Sequence, residues 1–260
     1  MKTSLAALSF AALSAWAQTA IAPPQVGFIQ DQLGSFRQIS GLAGNFIMGA
    51  PAATSVISAT FSGSFGLVKT NPAILVTDAE GHLVTSASAP SGPALFAFSA
   101  NGQPALVYLI SSQALLQWNG SAFVPIPLDS AAIAADTLWS IAAPDPDHAA
   151  FLVERRDGLW TVRVLLTTGE MDSQSALPGL KTPALMLANG DVVSTETQGL
   201  VISASDGSEV HLAAQLPRGF SLQQIGDGWL QLRDLSQHHD VAVRVLKNHE
   251  GLYALPAVSQ

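Results

Sequence analysis

The densest group of chemically capable side chains is His238-His239-Asp240, with Arg233 and Asp234 just upstream. Two imidazoles and a carboxylate are the donor set of a metal site or of an acid–base pair. Adjacent side chains on an extended strand point to opposite faces, so His238 and His239 serve one ion only in an irregular loop. His238, His239 and Asp240 are therefore metal candidates, with a solvated polar loop as the plainer account. Asp145-Pro146-Asp147-His148 opens like a calcium loop, but Ala149-Ala150-Phe151 follow where further oxygen ligands and a glycine are needed. Glu154-Arg155-Arg156-Asp157, just before Gly158, reads as a charged hairpin tip, and exposed pairs of this kind contribute about 0–1 kcal/mol.

Ser62-Gly63-Ser64-Phe65-Gly66 has the composition of a nucleophile elbow without its Gly-x-Ser-x-Gly spacing, and no helix follows it. A phosphate-cradling loop needs the same missing helix. Asn119-Gly120-Ser121 matches a glycosylation sequon, but Asn-Gly is also a turn dipeptide. Trp118, Trp139, Trp160 and Trp229 have faces suited to sugar stacking, yet all four sit inside apolar strands, which favours core packing. Among the 19 acidic residues, a glycosidase-like pair would come from different repeats, which spacing along the chain does not reveal. No catalytic residue, assigned metal or cofactor follows from these patterns.

Composition narrows the classes further. The chain has no cysteine, which removes thiol catalysis, a lipid anchor on Cys, and every zinc or iron–sulfur site built on thiolates. Only 12% of residues are charged, the net charge is −8, and no Lys or Arg lies between Lys69 and Arg155. With no basic cluster to track phosphates, nucleic acid is not an expected partner. Lys2 followed by an apolar run from Leu5 to Ala17 describes a secretory signal peptide, being shorter than the about 20 residues that cross a bilayer. Ala15-Trp16-Ala17 fits the small-x-small cleavage rule, so residues 1–17 are the expected signal and 18–260 the mature domain, periplasmic or extracellular. No later stretch is apolar and long enough to span a membrane. About 240 residues suffice to bury a core without disulfides.

The elements that must position any site are strands. Short runs rich in Val, Leu, Ile, Phe and Trp alternate with Gly, Asn, Asp and Pro; only Ser130–Asp136 has the composition of a helical turn or two. The runs fall into groups of four, most clearly Leu95–Ser99, Ala105–Ile110, Ala114–Trp118 and Ala122–Leu128. Similar groups start at Ser58, Leu138, Pro183 and Ser221, and residues 25–50 supply a hairpin and a third strand from Asn45. Turn glycines Gly34, Gly81, Gly120, Gly169, Gly207 and Gly251 recur at roughly forty-residue intervals, the spacing of a four-stranded propeller blade. Such a sheet cannot bury both faces alone, whereas blades packed around an axis can. The expected fold is an all-β propeller of five to six blades, six being favoured. A β-sandwich or an irregular β-solenoid is the alternative.

The pattern resembles exported bacterial β-propeller-like repeat proteins of unknown function, on turn spacing and strand type across the mature chain. WD dipeptides, kelch double glycines and complete Asp-boxes are missing, and Ser203-Ala204-Ser205-Asp206-Gly207 is a fragment of the last. The resemblance implies a frame and no activity. The expectation is therefore a non-catalytic binding or scaffold module presenting loops to a protein, peptide or glycan. The alternative is a hydrolase or lyase acting on a carbohydrate or lactone, its site residues converging from several blades.

Overall fold

The structure, a computed structural model, describes residues 22–99, 102, 104–129, 133, 137–236 and 239–257. Residues 1–21, with the expected signal peptide at 1–17, and most of Ser130–Asp136 lie outside the described residues. The first sheet has three strands, β1 (Gln25–Gln30), β2 (Phe36–Leu42) and β3 (Asn45–Ala53). The second holds β4 (Val56–Phe61), β5 (Gly66–Thr70), β6 (Ala73–Thr77) and β7 (Leu83–Ser88). The third holds β8 (Ala94–Phe98), β9 (Ala105–Leu109), β10 (Ala114–Trp118) and β11 (Phe123–Ile126). The fourth runs through β12 (Thr137–Asp145), β13 (His148–Arg155), β14 (Gly158–Leu165) and β15 (Met171–Leu177). The fifth holds β16 (Lys181–Met186), β17 (Val192–Glu196), β18 (Gly199–Ser203) and β19 (Glu209–Ala213). The sixth holds β20 (Phe220–Gly226), β21 (Trp229–Asp234), β22 (Val241–Arg244) and β23 (Gly251–Ala254).

Every sheet is an antiparallel meander in chain order, and the first strands β1, β4, β8, β12, β16 and β20 touch in turn, with β20 returning to β1. The molecule is a six-bladed propeller with one three-stranded blade. Strand composition follows depth. β9 (ALVYL) is buried on both faces, whereas the outermost β15 (MDSQSAL) is exposed through all but its last residue. One apolar cluster fills each seam between neighbouring blades, for example Tyr108 and Leu115 against Ile141 and Phe151 between the third and fourth.

Turn chemistry supports the repeat. Asp31 Oδ1 accepts the N–H groups of Leu33 and Ser35, and Asp78 Oδ1 accepts those of Glu80 and His82. Asn119 does the same for Ser121 and Ala122, so its Asn-Gly-Ser is a built turn. The last turn differs from expectation: Gly251 opens β23, and Asn248 (φ 66°) takes the left-handed position there. A short polar side chain tolerates that region better than most.

The ring closes without exchanging a strand. The first and last blades approach so closely that a methyl group on Gly27 would overlap the Ile225 carbonyl oxygen, and one on Gly226 the Val26 carbonyl oxygen. The first blade is also set back from the axis. β4 and β20 touch across it, and Thr60 Oγ1 donates to the Gln224 carbonyl at 3.1 Å.

Candidate functional site

The axis carries a cavity of about 250 Å³. Each of β4, β8, β12, β16 and β20 contributes a half-buried apolar side chain to it: Ile57, Leu95, Trp139, Leu185 and Leu222. Between them stand neutral hydrogen-bonding groups, including Gln30, Ser221 and Gln223. Arg233 is the one charged residue among the described residues of the lining. Ser58 and Ser140, on the same strands, are used structurally: each Oγ accepts an N–H from the next blade, Ala94 at 3.0 Å and Met186 at 2.9 Å.

At Phe98, Ala188 and Gln224 this channel meets a cleft of about 550 Å³ at one end of the ring. The cleft is framed by the turns that follow the first strands of four blades, with Ser62, Ser64, Ser99, Asn189 and Asp227 at its edge. The Asp227 carboxylate rests against Gly63, where a methyl group would come within 2.7 Å of Oδ2. Burial pushes the Asp227 carboxyl above its ordinary value. Ser62 and Ser64 share a hydroxyl–hydroxyl contact of 3.2 Å, so the segment that resembles a nucleophile elbow in composition is a hairpin turn of the mouth.

Of the His238-His239-Asp240 group, His239 and Asp240 lie between β21 and β22, as the sequence implies. His238 is outside the described residues, and His239 is exposed. Asp240 is buried: Oδ2 accepts Gln231 Nε2 at 2.7 Å and Oδ1 accepts the Asp234 N–H at 3.1 Å. Burial pushes its carboxyl up, outweighing those two bonds and the charge of Arg233. Gln231 is itself the hub of the closing seam. Its amide accepts the Gln30 N–H at 3.1 Å and donates to the Gln30 carbonyl at 2.9 Å, imitating a strand partner. Gln223 completes the set by donating to Gln231 Oε1 at 2.7 Å, and Gln30 Nε2 reaches Val56 O in the second blade at 2.7 Å.

The other expected groups resolve into local structure. Asp145 bridges His148 Nδ1 (2.7 Å) and Arg163 Nη2 (2.9 Å) beside the β12–β13 turn. Desolvation pushes the Asp145 carboxyl up, but the bonds from His148 and the Asp147 N–H, with the charges of His148 and Arg163, hold it below its ordinary value. Glu154–Asp157 does form a hairpin tip. There Glu154 accepts the Trp139 indole N–H at 2.8 Å, and Arg155 stacks on Trp160 at 5.2 Å. Trp118 is core, and Trp229 packs between Phe46 and Tyr253, both at 5.7 Å. Trp139 alone of the four lines the channel.

One acidic–imidazole group escapes the sequence reading. Asp78, Glu80 and His82 offer donor atoms within 4.8 Å of one another in the β6–β7 turn. Asp78 there already holds that turn through its bonds to Glu80 and His82. Desolvation pushes the Asp78 carboxyl up, and the His82 and Glu80 contacts together carry it below the ordinary value.

No protein-family model and no curated protein matches this chain. Among solved structures it is similar to a chain of a nidogen/laminin complex, at 13% identity over 91% of this chain and 99% of that one, with a TM-score of 0.53. It is also similar to a protein of unknown function from Bacteroides caccae (12% identity, 90% and 99% covered, TM-score 0.48). A third is the β-propeller domain of Cps50 (Swd1) from Myceliophteria thermophila (11% identity, 92% and 88% covered, TM-score 0.48). At such identities the likeness is one of fold, and the chain has a generic β-propeller fold. Among the described residues, no helix is long and apolar enough to cross a membrane.

Proposed function

We propose that this protein is an exported, non-catalytic binding module in which the propeller frame holds a protein, peptide or glycan at the axial channel and the turns around its mouth. The observation that carries the reading is the makeup of the channel. An apolar side chain from each of five blades alternates with neutral amides and hydroxyls, and the cavity opens into a broader cleft. Apolar walls with a few placed polar groups are the chemistry of a ligand site. Turns on a rigid frame are where recognition concentrates. Export is supported by Lys2, the Leu5–Ala17 run and the Ala15-Trp16-Ala17 site.

Native mass spectrometry of the protein recovered from its own envelope and culture fluid tests both parts. The expected results are a chain beginning at Gln18 and a non-covalently bound species that a Trp139→Ala variant loses. Recovery of the species in chemically altered form, or a binding stoichiometry unchanged by channel and mouth variants, contradicts the reading.

A further inference from the structure

Arg233, the one charged residue of the channel lining among the described residues, has few hydrogen-bond partners. A guanidinium has five N–H donors, yet among the described residues its hydrogen bonding is one contact, Nη2 to the Asp31 carbonyl at 3.4 Å. Its acidic neighbours are engaged elsewhere. Asp31 is held by Arg37 Nε at 2.6 Å and by the Leu33 and Ser35 N–H groups. Asp240 is taken by Gln231 and the Asp234 N–H, and Asp234 Oδ1 by the N–H and hydroxyl of Ser236. The cation therefore stands at a cavity wall with Asp240 within reach of its charge but, among the described residues, with no carboxylate contact at ion-pair distance. Beside it runs the belt of Ile57, Leu95, Trp139, Leu185 and Leu222.

We propose that the channel binds a carboxylate carried on a small apolar body, the carboxylate on Arg233 and the body inside the belt. The proposal rests on the reading of the channel as a ligand site and names the ligand's chemistry. Two carboxylate oxygens match two parallel N–H groups of a guanidinium, an arrangement stronger than a neutral hydrogen bond. Five apolar walls select an apolar substituent. About 250 Å³ is just below the usual range of about 300–1,000 Å³ for ligand pockets, which limits the body to a small one. A free organic acid and the C-terminal end of a short apolar peptide share this chemistry.

The test is calorimetric titration of the purified protein with hexanoate, hexanamide, the tripeptide Ala-Leu-Leu and its C-terminal amide. Trp139 fluorescence serves as a second report of occupancy. At least one acid binds, and its amide binds at least tenfold more weakly; which acid wins identifies the source. Arg233→Gln loses the acid-over-amide preference, and Arg233→Lys keeps part of it. Equal binding of acid and amide, or no binding of either acid, overturns the proposal without any variant. A native ligand retained by Arg233→Gln overturns it too, while leaving the binding module itself standing.

Discussion

Every seam of the ring holds an apolar cluster, but two seams differ in what is added to it. Between the third and fourth blades Tyr108 meets Phe151 edge-on at 5.7 Å, surrounded by Leu106, Leu115, Ile141 and Val153, all buried. Between the sixth and first blades the backbones meet at Gly27 and Gly226. There the amide of Gln231 pairs with the backbone of Gln30, 201 residues away. Apolar burial is strong and non-directional. It suits blades that the chain already holds side by side. The closing seam joins the two ends of the domain and must fix their register without a shared strand. Directional bonds do that, because a slipped register leaves buried amides unpaired at about 1–3 kcal/mol each.

The contrast predicts different ways to fail. Phe151→Ala should cost about 3–5 kcal/mol in urea unfolding, through the cavity left in the apolar seam. It should lower stability without opening the ring locally. Gln231→Leu leaves the side-chain volume nearly unchanged but orphans the Gln30 N–H and carbonyl and Asp240 Oδ2. A loss of about 3 kcal/mol is expected, with proteolysis starting in the first blade rather than uniformly. Gly226→Ala forces the two backbones apart and should cost about 1–3 kcal/mol, typical of overpacking.

Two titrating groups sharpen the comparison with smaller effects. Asp240 has its folded pKa raised by burial above the ordinary 3.8. Its ionisation therefore penalises the folded state above that raised value, and the penalty fades as pH falls toward 3.8. The stability of the wild type relative to Asp240→Asn should improve over that acid window in denaturant titrations at stepped pH. Lys69, in the second blade, is fully buried and donates to the carbonyls of Thr70 and Asn71. Burial lowers its ammonium below 10.5, so its penalty is complete below the lowered value and is relieved as pH rises toward 10.5. Relative to Lys69→Met, the wild type should gain stability on the alkaline side.

Local chemistry made most of the frame legible. Four-strand groups, turn glycines and the three-stranded first unit all follow from runs of apolar residues and the punctuation between them. The repeated Asp-x-x-Gly at Asp31 and Asp78 was also available as a turn signal, since one side chain satisfies two N–H groups there. The closing seam was not legible. Gln30, Gln223 and Gln231 look like ordinary polar positions in alternating strands; Gln223 and Gln231 face each other in the β20–β21 hairpin, and only the ring brings Gln30 to them. Arg233 was noted for its neighbours His238, His239 and Asp240, yet its own place is the channel, because its partner strand β20 lies at the axis.

Amide hydrogen exchange at Gln30, compared between the wild type and Gln231→Leu, tests the closing seam most directly. In the wild type this N–H should exchange only through global unfolding, since its acceptor is the buried Gln231 side chain. In the variant it should exchange through local opening, while the amides of Tyr108 and Phe151 keep global protection. Equal protection of Gln30 in both proteins would contradict the account and place the closure of the ring elsewhere.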